Sequence, residues 1–197
     1  MAIDYLYKNW PKIGGVSALF LFLMLFVNSK ADIGSLQWLF WLNLPLYLVH
    51  QVEEYVYPGG FIETLNEVLT KQRSHEFPLN EKDSFYVNVV GIWVLMPVMI
   101  LLGTLTIWLP LIMVGATTFN AFLHIGVSIR FRAYRPGLVA SLVLNLPLGI
   151  AVFSIAGLSM LVTGTDLLII ILLGIVAHWL ILLPVFAKFL RNRKNYA

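Results

Sequence analysis

Residues 36–57 read LQWLFWLNLPLYLVHQVEEYVY, an apolar stretch long enough to cross a bilayer that nevertheless contains His50, Glu53 and Glu54. On a helix, His50 shares one flank with the residues three and four positions on, so all three side chains project together. An ionised carboxylate near mid-membrane costs about 2.5 to 3.5 kcal/mol, and less towards the interface. No Lys or Arg lies in an apolar stretch to offset that cost. The compensation must come from a protonated histidine, a bound metal or an arginine at the rim, or else a glutamate keeps its proton.

The rest of the chain agrees with a membrane setting. Of 197 residues, 59% are hydrophobic and 12% charged, and the apolar runs approach the roughly 20 residues that a spanning helix needs. The expected fold class is all-α: a polytopic membrane helical bundle forming one integral membrane domain over residues 1–197. Six spans are expected, at 13–28, 36–57, 84–103, 106–129, 138–162 and 166–187. Gly103, Thr104 and Pro110 are all that divides the third from the fourth, so a re-entrant segment is the alternative there. The loop 58–83 opens on the breaker Pro58-Gly59-Gly60 and then spaces Phe61, Ile62, Leu65, Val68 and Leu69 as on a helix, which predicts a short interfacial helix.

Basic residues orient the bundle. Lys8, Lys12, Lys71, Arg73, Lys82, Arg130, Arg132, Arg135, Lys188, Arg191, Arg193 and Lys194 all fall on one side of the six-span scheme and only Lys30 on the other. Both termini are therefore expected in the cytoplasm, in the cell (inner) membrane, with the first helix an uncleaved span rather than a signal peptide. The same clusters account for a pI near 9.2 and read as contacts with anionic membrane lipids, not with nucleic acid. With no cysteine there is neither a disulfide framework nor a thiolate metal site. Haem, iron–sulfur clusters and nucleotides are not expected.

Polar residues gather at one depth in this scheme. The second, fourth and sixth spans place His50, His124 and His178 roughly 9 to 15 Å below the cytoplasmic boundary. Asn88 and Asn145 enter the same layer from the third and fifth spans. Asn43, Tyr47, His50 and Glu54 form one stripe, and Thr117, Asn120, His124 and Ser128 another. Imidazole and carboxylate together suit a divalent metal, zinc, iron or manganese, which would also balance the two acids. The candidate metal ligands are His50, Glu53, Glu54, His124 and His178, with Glu53 or Glu54 as a catalytic acid or base. Tyr47, Asn88, Asn120, Asn145 and Arg130 are candidates to orient those ligands or hold substrate. The bland alternative, that single Asn or His residues only bridge helices, applies most readily to Asn43, Asn88 and Asn145.

His50-Gln51-Val52-Glu53-Glu54, followed by Tyr55 and Pro58-Gly59-Gly60-Phe61, resembles the HXXEE family of integral membrane proteins. Phe119-Asn120-Ala121-Phe122-Leu123-His124 and Tyr134-x-Pro136-Gly137-Leu138 extend the likeness. The resemblance implies an enzyme-like polar centre and names no substrate. A weaker similarity to the intramembrane CAAX-type proteases departs at Pro58 and Asn120, where that family carries Arg and Phe.

Three functions fit these residues. The first is a metal-dependent membrane enzyme, a hydrolase or non-haem oxidase, acting on a lipid or apolar small molecule near the cytoplasmic leaflet. The second is a proton-coupled transporter in which the glutamates take up protons and the histidines relay them. The third is a non-catalytic membrane scaffold with a structural polar centre.

Overall fold

The computed structural model describes residues 2–28 and 33–192, all helix and connecting turns, with no strand among them. Helix α1 spans Ala2–Asn28 and runs through Pro11, starting well before the expected position 13. Helix α2, Leu36–Tyr55, begins where the Ser35 hydroxyl accepts the Trp38 N–H and ends ahead of Pro58. Gly59 and Gly60, both at positive φ, turn the chain into the short helix α3, Phe61–Thr70. One Asn66 side chain then staples the following loop, donating to the Ser74 and Leu79 carbonyls and accepting from the Leu79 N–H.

The next long helix is continuous but irregular. Helix α4 (Glu81–Asn88) passes through a π-helical stretch at Val89–Val94 into α5 (Leu95–Leu101). A short break separates it from α6, Trp108–Phe131. The short α7 (Leu138–Ala140) leads through a second π-helical stretch, Ser141–Asn145, into α8 (Leu146–Leu158). The last helix, α9, runs from Gly164 to Asn192.

Five helical stretches are long and apolar enough to cross a membrane: Ile3–Val27, Glu81–Thr104, Trp108–Phe131, Leu138–Leu158 and Gly164–Asn192. The sixth long helix, α2, falls outside that set because Asn43, His50, Gln51, Glu53 and Glu54 lower its hydropathy. Its position explains why this is tolerated: Asn43, Tyr47, His50, Gln51 and Glu54 are buried among its neighbours. A helix enclosed by other helices meets little lipid and need not be apolar all round. Helix α6 is the other inner element, with 50% of its apolar window buried against 22–33% for the remaining four. It crosses α9 at Gly115 and Gly174, where a Cβ on Gly174 would come within 2.7 Å of the Gly115 backbone. Such close backbone contact is how membrane helices gain packing without a hydrophobic drive.

The helix ends carrying basic residues meet at one end of the bundle. Tyr7 of α1 contacts Tyr86 of α4, Lys188 of α9 pairs with Asp83, and Arg73 and Arg135 both approach Glu67 of α3. Lys30, Arg193 and Lys194 lie outside the described residues. Helix α3 rests across this end, its Ile62 packed with Leu79 and with Val185 of α9.

Candidate metal centre

The inner pair α2 and α6 brings His50, Glu54 and His124 together, all buried, with one ligand atom from each within 4.8 Å of the others. Glu54 Oε1 lies 3.1 Å from His124 Nε2 and 3.5 Å from His50 Nε2. The two imidazole rings meet edge to face at 4.7 Å.

Hydrogen bonding determines what each atom presents. His124 Nδ1 lies 2.9 Å from the Pro136 carbonyl, which can only accept, so Nδ1 carries the hydrogen and Nε2 of the neutral ring offers a lone pair. Asn120 Nδ2 donates to His50 Nε2 at 3.1 Å, making that nitrogen an acceptor as well. Glu54 Oε1 therefore lies beside the His124 Nε2 lone pair and a His50 Nε2 that accepts from Asn120, so neither neutral ring donates to it, and a cation, a proton or a metal ion, would relieve the crowding of acceptors. Glu54 has no Lys or Arg partner among the described residues. His50 Nδ1 is buried without a partner and, with Nε2 an acceptor, is the nitrogen that carries the hydrogen of the neutral ring.

The donor set suits a divalent ion of intermediate softness: two imidazoles, one carboxylate and no thiolate. The carbonyl behind His124 supplies the outer support typical of metal-ligating histidines. A buried His50–Glu54–His124 group able to hold a metal is thus present, and the donors leave zinc, iron and manganese undistinguished.

Gly137 closes the site. Its φ is +90°, and a Cβ there would lie 2.5 Å from His124 Cε1 and Nδ1 and 3.0 Å from His50 Cε1. The turn after α6 can fold onto both rings only with glycine at this position.

The two adjacent glutamates are separated. Glu53, expected at the centre from its place in the motif, instead accepts from the Tyr134 hydroxyl at 2.8 Å and from the Val139 and Ala140 N–H groups at 2.9 and 2.6 Å. It caps the N-terminus of α7, where backbone N–H groups lack helical partners and the helix dipole favours an anion. Burial, followed by the hydrogen bond to Glu53, pushes the Tyr134 hydroxyl pKa well up, so Tyr134 stays a donor. Glu53 thereby holds the 134–140 segment over the two histidines, and it stands outside the His50–Glu54–His124 group.

A cavity of about 40 Å³ adjoins Glu54 and is lined also by Tyr47, Asn88, Asn120 and His178. That is room for more than one water, since one needs about 10–15 Å³. His178 Nε2 is buried there without a partner, and its ring packs edge-on against Phe119. Tyr47 sits beside the His50 ring at 5.1 Å. Asn88 touches the cavity wall while its amide is engaged with Gln51, Tyr55 and the Ser84 carbonyl. Gln51, one of the unspecified positions of the motif, also accepts from Trp93 Nε1, and so locks the rotation of α2 against the α4–α5 helix. Asn145 is buried with both side-chain polar atoms unpartnered, and Arg130 is exposed. Pro136, Gly137 and Gln51 shape the site although sequence reasoning assigned them no role; the Tyr134-x-Pro136-Gly137 turn is the signal that points to the first two.

Residues 41–152 match the family model described as "Protein of unknown function with HXXEE motif". The chain belongs to the HXXEE family. The matched span includes all three clustered residues and the covering glycine, and ends before α9 and His178. No curated protein and no solved structure matches the chain.

Proposed function

We propose that this HXXEE protein is a metal-dependent membrane enzyme acting on a lipid or other apolar small molecule at the cytoplasmic leaflet. The observation that carries the reading is the convergence of three acceptor groups, on His50, Glu54 and His124, in a buried site beside a small cavity. His50, Glu54 and His124 would hold a divalent metal, which when bound supplies Lewis acidity towards a substrate oxygen or a water. The chain itself supplies orientation: the Pro136 carbonyl holds the His124 tautomer, Tyr47 packs beside the His50 ring, and Asn120, which donates to His50 Nε2, would yield that lone pair to the metal. His178, with a free buried Nε2 on the cavity wall, is placed either to complete the ligand set or to move a proton. Hydrolysis and oxidation both fit these parts.

Elemental analysis of protein purified without chelators tests the reading. Near-stoichiometric zinc, iron or manganese is expected, and His124→Ala should empty the site. His178→Ala that keeps metal but loses turnover would assign the proton-transfer role. Fully functional metal-free protein would sink the proposal and favour a proton shared within the same His–Glu–His group.

A further inference from the structure

A second, larger space reaches the same centre from the bundle's basic end. A groove of about 230 Å³ lies between α3, α6 and α9, walled by Phe61, Leu65, Leu123, Trp179, Leu182 and Phe186 among other apolar side chains. Thr64 of α3 spends its hydroxyl on the Gly60 carbonyl, and the side chains left to meet a ligand's polar groups sit in two places. Asn120, His124 and His178 stand at the candidate metal centre, and Asn120 and His178 line the inner cavity as well. Arg135, at the turn after α6, stands at the basic end of the bundle.

Arg135 is a largely buried cation, its side chain 13% exposed, and it is only partly neutralised. Its Nη1 donates to Glu67, its guanidinium stacks 4.2 Å over Phe131, and its Nε is buried without a partner. Glu67 is also approached by Arg73, so two cations share one carboxylate beside the groove. An apolar groove with two arginines sharing one carboxylate at one end and the candidate metal centre along it complements one kind of molecule.

Resting on the proposed enzyme reading, we infer that the substrate is a single-chain anionic amphiphile, its carboxylate or phosphate on Arg135 and its hydrocarbon in the groove beneath α3. The chain then runs past His124 and His178, so the centre acts on a position along it or on a bond near its polar end. Arg135 is a binding residue in this assignment. Helix α3, tied to Arg135 through Glu67, roofs the occupied groove.

Trp179 on the groove wall gives a readout that needs neither metal nor turnover. The full chain in phosphatidylcholine nanodiscs is titrated with a brominated fatty acid, at a pH where the acid is ionised, and with the brominated alcohol of equal length. The acid should quench tryptophan fluorescence saturably, and Trp179→Phe should remove the quenched component. Arg135→Gln should weaken the acid roughly tenfold or more, the loss of one charge-assisted hydrogen bond, while the alcohol is unchanged. Arg135→Lys should recover part of the affinity, which separates lost charge from misfolding. An unbrominated alkyl phosphate should displace the acid, and inorganic phosphate should not. Equal binding of alcohol and acid, quenching that survives Trp179→Phe, or displacement by inorganic phosphate as effective as by alkyl phosphate would overturn the assignment. Metal content of the same samples is read separately: metal without groove binding refutes the ligand and leaves the centre, and groove binding without metal does the reverse.

Discussion

Three residues carry the site, and a fourth makes room for them. Gly137→Ala would place a methyl 2.5 Å from the His124 ring at a φ of +90°, so the turn must lift or the ring must swing. The expected result is a loss of roughly 1–3 kcal/mol in thermal or denaturant unfolding together with loss of bound metal. A variant of wild-type stability and metal content would show that the turn does not press on the rings. The two glutamates should part in the same assays. Glu54→Gln removes the carboxylate between the histidines and should release metal with little change in folding. Glu53→Gln should retain metal and cost about 1–3 kcal/mol, because an anion accepting from two backbone N–H groups and a phenol is lost. The motif predicts an acidic site but not which acid serves it: at adjacent positions the side chains differ by about 100° around the helix, and what each meets depends on α6 and α7.

At the scale of elements, α3 and its loop form the part of the fold most open to solution conditions. His75 bridges them, with Nδ1 2.9 Å from Glu63 of α3 and Nε2 3.5 Å from Glu81 of α4. Partial burial lowers its pKa, but the hydrogen bonds and charges of Glu63 and Glu81 outweigh this and leave it raised. A raised histidine pKa stabilises the folded form fully below the unfolded value near 6.5, and the contribution fades as pH rises through the folded value. Hydrogen-exchange protection factors over residues 61–80 should therefore fall between mildly acidic and mildly alkaline pH, and His75→Gln should flatten that dependence. An unchanged profile in the variant would show that His75 does not fasten α3. The α3 helix was legible from its spacing of apolar residues. The extent of α1 was not: the apolar run marks a span only from 13, yet the helix continues back through Lys12, Pro11 and Lys8 to Ala2, beyond the apolar core.

For the whole molecule, the split of basic residues predicts orientation. The chain lacks cysteine, so single introduced thiols report position without background. Glu76→Cys, in the α3–α4 loop, should react with an impermeant maleimide only from the cytoplasmic face, and Ser159→Cys, at the α8–α9 turn, only from the opposite face. The reverse pattern would invert the bundle and put the proposed centre near the outer leaflet.

Composition and hydropathy by themselves determined that this protein is a helical membrane bundle, because a bilayer demands long apolar segments with satisfied backbones and leaves little choice of fold. The HXXEE motif and the stripes on α2 and α6 likewise singled out His50, Glu54, Asn120 and His124, since helical spacing puts each set on one face. Only the tertiary structure decided that Glu53 caps a neighbouring helix, that Gln51 and Asn88 form a network of their own, and that Arg135 rather than Arg130 lines a groove. Those outcomes depend on how α6 turns at Gly137 and where α3 and α9 cross it. Contacts between residues some 70 to 90 positions apart leave no periodic trace in a single chain.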